Sequence, residues 1–162
     1  MRAGGIGDPL SGDGFVRAAD GGLRWGRYGA AGLLVRHVHT VTGVDSYFVA
    51  LRSQHTHMGG TWAIPGGALA YRETPVEAAL REFREEVGLT LSPDQVVQIH
   101  EDDHGGWVYW TVLLDVDEPF PLPTTVNWET ADVRWVRKDE LYDLPLLEPF
   151  RATMVRLGVL SR

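Results

Sequence analysis

From about residue 28 onward the hydrophobic positions fall into short blocks, and their spacing decides what each block becomes. Residues 30–35 and 46–51 are apolar runs too short for helices, with the turn-forming Thr42 and Gly43 between them, and they predict two strands joined by a hairpin-like connection. Residues 95–100 and 107–116 predict two more strands, the second rich in aromatics and closed off by Pro119, Pro121 and Pro123. A last strand is expected at 133–136, then a helical turn near 139–142 and a helix around 148–157. The first 26 residues are rich in Gly and Asp without sustained periodicity, so they read as a loose arm ahead of a single domain over residues 27–162.

Between 75 and 87 the period changes. Val76, Ala79, Leu80, Phe83 and Val87 recur at helical spacing, and at about 100° per residue they form one stripe that packs against a sheet. Thr74 is placed to cap this helix, with Pro75 at its first position and Glu77 as capping-box partner, while Gly88 supplies the stop. Residues 52–72 before it are mostly loop. Adjacent glycines in Pro65-Gly66-Gly67 are expected to let the backbone take positive φ and approach a ligand closely.

Glu82, Glu85 and Glu86 stand at i, i+3 and i+4 on a second stripe of the same helix, roughly 120° from the apolar one. An arbitrary acidic stripe is a solvated face. Here the like charges repel, and their position near the helix C-terminus sets them against the macrodipole as well. A hard divalent cation reverses both effects. The chain has no cysteine, which excludes thiolate zinc, a disulfide scaffold and a cysteine nucleophile, so oxygen ligands point to Mg²⁺, with Mn²⁺ as the alternative.

With 162 residues, one core suffices. The net charge of −7 opposes a protein that coats nucleic acid, and no run is long and apolar enough to span a membrane. Without a signal-like start, the cytoplasm is the expected location. An anionic small-molecule substrate is compatible with that charge if a divalent cation screens it, and so is a homodimer.

Gly67, five residues, Glu73, seven residues, then Arg81-Glu82-Phe83-Arg84-Glu85-Glu86-Val87-Gly88-Leu89 resembles the Nudix box, with every characteristic position filled. The resemblance implies an α/β/α sandwich of α/β (α+β) class around a mixed, partly closed β-sheet. It also implies hydrolysis of a diphosphate bond in a nucleoside diphosphate linked to another group. By the same resemblance Glu82, Glu85 and Glu86 are metal ligands, the Gly66 carbonyl is a further one, Gly67 shapes the turn beside substrate, and Glu73 and Arg81 aim the ligands. The family often takes one more carboxylate from a late loop. Glu129 fits that place, with Asp132 as its competitor, and either Glu82 or Glu129 is placed to accept the proton of the attacking water.

Other polar clusters have plainer explanations. Glu101, Asp102 and Asp103 read as a solvated loop, and His55 and His57 as polar loop residues near substrate. Trp62, beside the metal loop, is the expected platform for a base, with Trp107 and Trp110 behind it. Family members that hydrolyse ADP-ribose carry a proline about sixteen positions after the box, where this chain has Gly105; Tyr109 is a poor match for the tyrosine of dinucleoside polyphosphate hydrolases. A nucleoside triphosphate, oxidised or not, is the favoured substrate. A nucleotide-sugar or ADP-ribose pyrophosphatase and a non-catalytic nucleotide sensor are the alternatives.

Overall fold

The computed structural model describes residues 10–162, so the first part of the expected N-terminal arm lies outside it. Two short strands, β1 (Phe15–Arg17) and β2 (Leu23–Trp25), form an antiparallel hairpin inside that segment. Periodicity missed it because each strand has three residues and turns its larger apolar side chains, Phe15, Leu23 and Trp25, outward. The hairpin is docked, not loose. The Trp107 indole donates to the Gly26 carbonyl at 2.9 Å, and the Ala19 amide donates to Gly105 at 2.9 Å.

The main sheet is built from β3 (Ala30–Val38), β4 (Asp45–Arg52), β5 (Trp62–Ala63), β6 (Gly66–Ala68), β7 (Val96–Asp103), β8 (Val108–Asp115) and β9 (Thr130–Arg137). β3 runs parallel to β8 and every other pairing is antiparallel, so the sheet is mixed. The strands expected from the apolar runs are present. Glu101, Asp102 and Asp103 extend β7 instead of forming a loop, because they pair with Trp110, Tyr109 and Val108 on β8.

Position is decided by a split in this sheet. β3 and β4 pair only at one end, Arg36 to Val38 with Tyr47 to Asp45. At the other end β3 pairs with β6 and β4 pairs with β5, so two short strands from the 52–72 segment fill the gap.

α1 (Pro75–Val87) covers one face. Ala78, Ala79, Phe83 and Val87 are buried against Ala31, Leu33, Val35 and Phe48, with Val76 and Leu80 partly buried at the edge. Ala78 is core although it lies outside the stripe assigned from sequence. The Thr74 hydroxyl accepts from the Glu77 amide at 3.1 Å, and Gly88 closes the helix at φ 85°. Glu77 departs from the capping-box expectation: its carboxylate accepts the Thr74 hydroxyl proton at 2.9 Å. A six-residue 3₁₀ turn, Lys138–Asp143, and α2 (Glu148–Arg156) cover the opposite face over Leu34, Val49, Leu113 and Val136. Helices on both faces of one sheet make the α/β/α sandwich.

Candidate active site

α1 presents its carboxylates toward the split. Arg81 organises them. Its Nε and one terminal nitrogen donate to the two oxygens of Glu73 at 2.8 and 2.9 Å, and that second nitrogen also reaches the Ala68 carbonyl at 2.9 Å. The remaining terminal nitrogen donates to Glu82 at 2.8 Å and to Glu85 at 3.3 Å. Glu73 also accepts from the Ala70 amide at 2.9 Å, so the loop leading into α1 is fastened to the helix two turns later. The Arg81 guanidinium holds Glu73 below the usual carboxylate range. This two-oxygen grip needs a planar fork, which lysine lacks.

Glu86 is different. It is deeply desolvated, and burial first, then the neighbouring Glu82 and Glu129 carboxylates, push it up to about 8; the Gly66 amide and Arg52 pull the other way. Burial also raises Glu82, against the pull of Arg81. These shifts describe a surplus of negative charge that the protein leaves uncompensated.

Glycine at 66 and 67 is a matter of space. Neither takes positive φ, contrary to the sequence expectation. A Cβ on Gly67 would lie 2.5 to 2.7 Å from the three carboxyl atoms of Glu82, and one on Gly66 would lie 2.5 Å from the Ala31 carbonyl oxygen. The close approach is therefore between chain segments, and it seats Glu82 directly over the turn.

Glu129 arrives from far along the chain. Its loop is tied at both sides: the Asn127 amide donates to the Glu86 carbonyl at 3.3 Å, and the Ser53 amide donates to the Glu129 carbonyl at 2.8 Å. A register shift between Leu51 and Arg52 in the β4–β9 pairing matches Leu51 to Asp132 and Arg52 to Thr130, a bulge of the kind that re-aims side chains beside a site. Glu86, Glu129, Thr130, Arg52, Ile64 and Gly66 thus share one cleft. Asp132 does not join them: its two oxygens accept from the Val133 amide and the Arg134 Nε. Arg52 escaped the sequence reading, since only the strand pairing brings it to the carboxylates and nothing local marks it. A shallower, more apolar hollow continues from Arg52 past His57, Met58, Leu147 and Pro149.

Trp62 needs correcting. It is 4% exposed, lies in the core under α2, and carries the Arg134 guanidinium over its ring at 4.9 Å, so it offers a base no open face. Trp107 is likewise core and Trp110 partly so. The tryptophan beside the cleft with an open face is Trp128, 70% exposed and adjacent to Glu129. Asp102, in the second acidic cluster, is held by Arg156 at 2.6 Å and His104 at 3.1 Å.

The donors suit a hard cation. All are oxygen, they are anionic beyond what Arg81 and Arg52 neutralise, and the most buried of them, Glu86, has the strongest need of a counter-charge. Among the described residues no three His, Asp or Glu side chains already close around one point. Glu85 is turned half out to solvent toward Arg81. An open half-site of this kind fits Mg²⁺, which takes one or two carboxylates and completes its shell with water and phosphate oxygens.

A NUDIX domain model matches residues 33–158. A putative 8-oxo-dGTP diphosphatase 3 from Mycobacterium tuberculosis is 41% identical over 152 residues, covering 90% of this chain and 69% of that protein. The nucleoside triphosphatase NudI of Enterobacter sp. (strain 638) is 32% identical over 111 residues, 62% of this chain and 79% of its own. The crystal structure of RenU, a Nudix hydrolase from M. smegmatis, superposes with a TM-score of 0.78 at 40% identity, covering 91% of this chain and 93% of the other.

Proposed function

Since the chain belongs to the Nudix family and is a hydrolase of that family, we propose that it cleaves nucleoside triphosphates, oxidised ones included, to the monophosphate and pyrophosphate with Mg²⁺ or Mn²⁺. The observation that carries this is the desolvated Glu86 beside Glu82 and Glu129, in a cleft that also holds Arg52. Glu82, Glu86 and the Gly66 backbone are the groups placed to hold the ion, with Glu85 completing the set if it turns inward. Bound there, a divalent ion neutralises the diphosphate and makes water a better nucleophile.

The protein's own side chains do the rest. Arg81 fixes Glu73 and Glu82 in one arrangement, so the site is formed before substrate arrives. Arg52 offers its terminal nitrogens to a phosphate oxygen, because among the described residues only its Nε is engaged, on the His57 carbonyl at 2.9 Å. Glu129 takes the proton of the attacking water: Glu82 already accepts from Arg81, whereas no ion pair with a described residue restrains Glu129. Names carried by two of the relatives, 8-oxo-dGTP diphosphatase and nucleoside triphosphatase, support a triphosphate substrate.

The test is a panel of deoxynucleoside and nucleoside triphosphates, their 8-oxo forms, ADP-ribose and nucleotide sugars, assayed with Mg²⁺ and with products identified by chromatography. Monophosphate and pyrophosphate from a triphosphate are expected. Turnover confined to ADP-ribose or nucleotide sugars would overturn the substrate class, and no turnover of any compound would overturn the enzyme.

A further inference from the structure

We propose that Tyr109 is a positioning residue whose hydroxyl donates a hydrogen bond to a diphosphate oxygen of the substrate at the Gly66 turn. The proposal rests on the diphosphate site described above. Tyr109 lies on β8, opposite Ala30 of β3, and its side chain reaches across the sheet to the end where β3 and β4 separate. Two glycines on neighbouring strands leave room for its oxygen. A Cβ on Gly32 would collide with that hydroxyl, and one on Gly66 would stand 3.0 Å from it. Ile64, which lines the cleft, crowds the same spot.

No hydrogen bond joins this hydroxyl to any described residue. Tyr109 is half-buried and its oxygen is not sealed from solvent, so the hydroxyl is available to a ligand entering beside it. The oxygen bonds to none of the described residues, so phenylalanine would fill the same volume against Trp107 and Gly32 without loss to the fold.

The cleft is also short of donors beyond the terminal nitrogens of Arg52. Arg81 is fully engaged with Glu73, Glu82, Glu85 and Ala68. Ionised carboxylates accept only. An anionic diphosphate held here needs neutral or cationic donors around it, and the Tyr109 hydroxyl is one, lying within reach of the turn that carries Gly66.

The experiment compares wild type with Tyr109→Phe in calorimetric titration by the α,β-methylene analogue of dGTP, with Mg²⁺ present. The variant should bind roughly 10-fold or more weakly, with an unchanged melting temperature. In parallel, 3-fluorotyrosine placed at 109 in the otherwise wild-type protein should show a ¹⁹F resonance that moves when the analogue is added; this decides the matter should Tyr109→Phe fold poorly. Equal affinity of the two proteins, or a resonance that stays in place, overturns the role of Tyr109 and leaves the diphosphate site standing. Failure of the wild type itself to bind the analogue removes that site, and this proposal with it.

Discussion

Two arginines near opposite ends of β3 show the same chemistry in a balanced pair and in a crowded acidic cluster. Arg36 meets Asp115 of β8 with paired bonds of 2.7 and 2.9 Å, one cation to one carboxylate. Arg81 meets Glu73, Glu82 and Glu85, with Glu86 and Glu129 close behind. The first pair is balanced and asks for nothing more. The second is overloaded with negative charge, and its remaining need is for a ligand that brings positive charge. Burying such an imbalance is unfavourable for folding alone, so its presence marks function.

The contrast is broken most severely at Glu86. Glu86→Gln keeps the shape and removes the charge, so kcat/KM on the best triphosphate should fall roughly 1,000-fold, as expected for several kcal/mol of lost electrostatic stabilisation. Metal-free stability at neutral pH should rise at the same time, because the buried group no longer has to take up a proton on folding. Activity near wild type at saturating Mg²⁺ would show that Glu86 is not needed.

Matched lysine substitutions sharpen the comparison. Arg81→Lys loses the fork that holds Glu73 by both oxygens and should lower kcat/KM about 10- to 100-fold. Arg36→Lys should cost about 1 kcal/mol in urea unfolding, since the pair is partly solvated, and leave kcat/KM unaltered. Equal effects of the two on activity would erase the distinction between the clusters.

The same imbalance predicts a pH dependence of the metal-free protein, with no substitution needed. Glu86, raised from 4.5 to about 8 by burial and by its carboxylate neighbours, is easier to bury protonated. Its contribution to stability is fully present below about 4.5 and is lost as pH rises through about 8. Glu73 acts in the opposite sense, stabilising above its ordinary 4.5 and losing that contribution as pH falls through its lower folded value. Between pH 5 and 8 the Glu86 effect dominates, so unfolding with a chelator present should show stability falling by on the order of a few kcal/mol as pH rises. A flat or rising curve over that window would contradict the uncompensated charge.

Local pattern carried much of this. The box helix, its caps and its two stripes were legible because helical periodicity and capping act within a few residues, and the longer strands were legible as apolar runs. Reasons that depend on distant partners were not. Gly66 and Gly67 are glycines because Ala31 and Glu82 crowd them, which no local rule reports. Sequence left Glu129 and Asp132 as rivals; the β4–β9 bulge and the tie from Asn127 to Glu86 bring Glu129 to the cleft and turn Asp132 onto its own strand. Trp62 looked like a platform because it adjoins the metal loop in sequence, yet strand pairing with Leu51 turns it into the core. Arg52 and Tyr109 reach the site only through the same long-range pairing.

The most direct test follows free Mn²⁺ by electron paramagnetic resonance as metal-free protein is titrated at pH 7.5, comparing wild type, Glu86→Gln and Arg36→Lys. Wild type and Arg36→Lys should take up Mn²⁺ with the same affinity, and Glu86→Gln should bind it at least about 10-fold more weakly. Identical binding by all three proteins would contradict a metal site at the box end of α1.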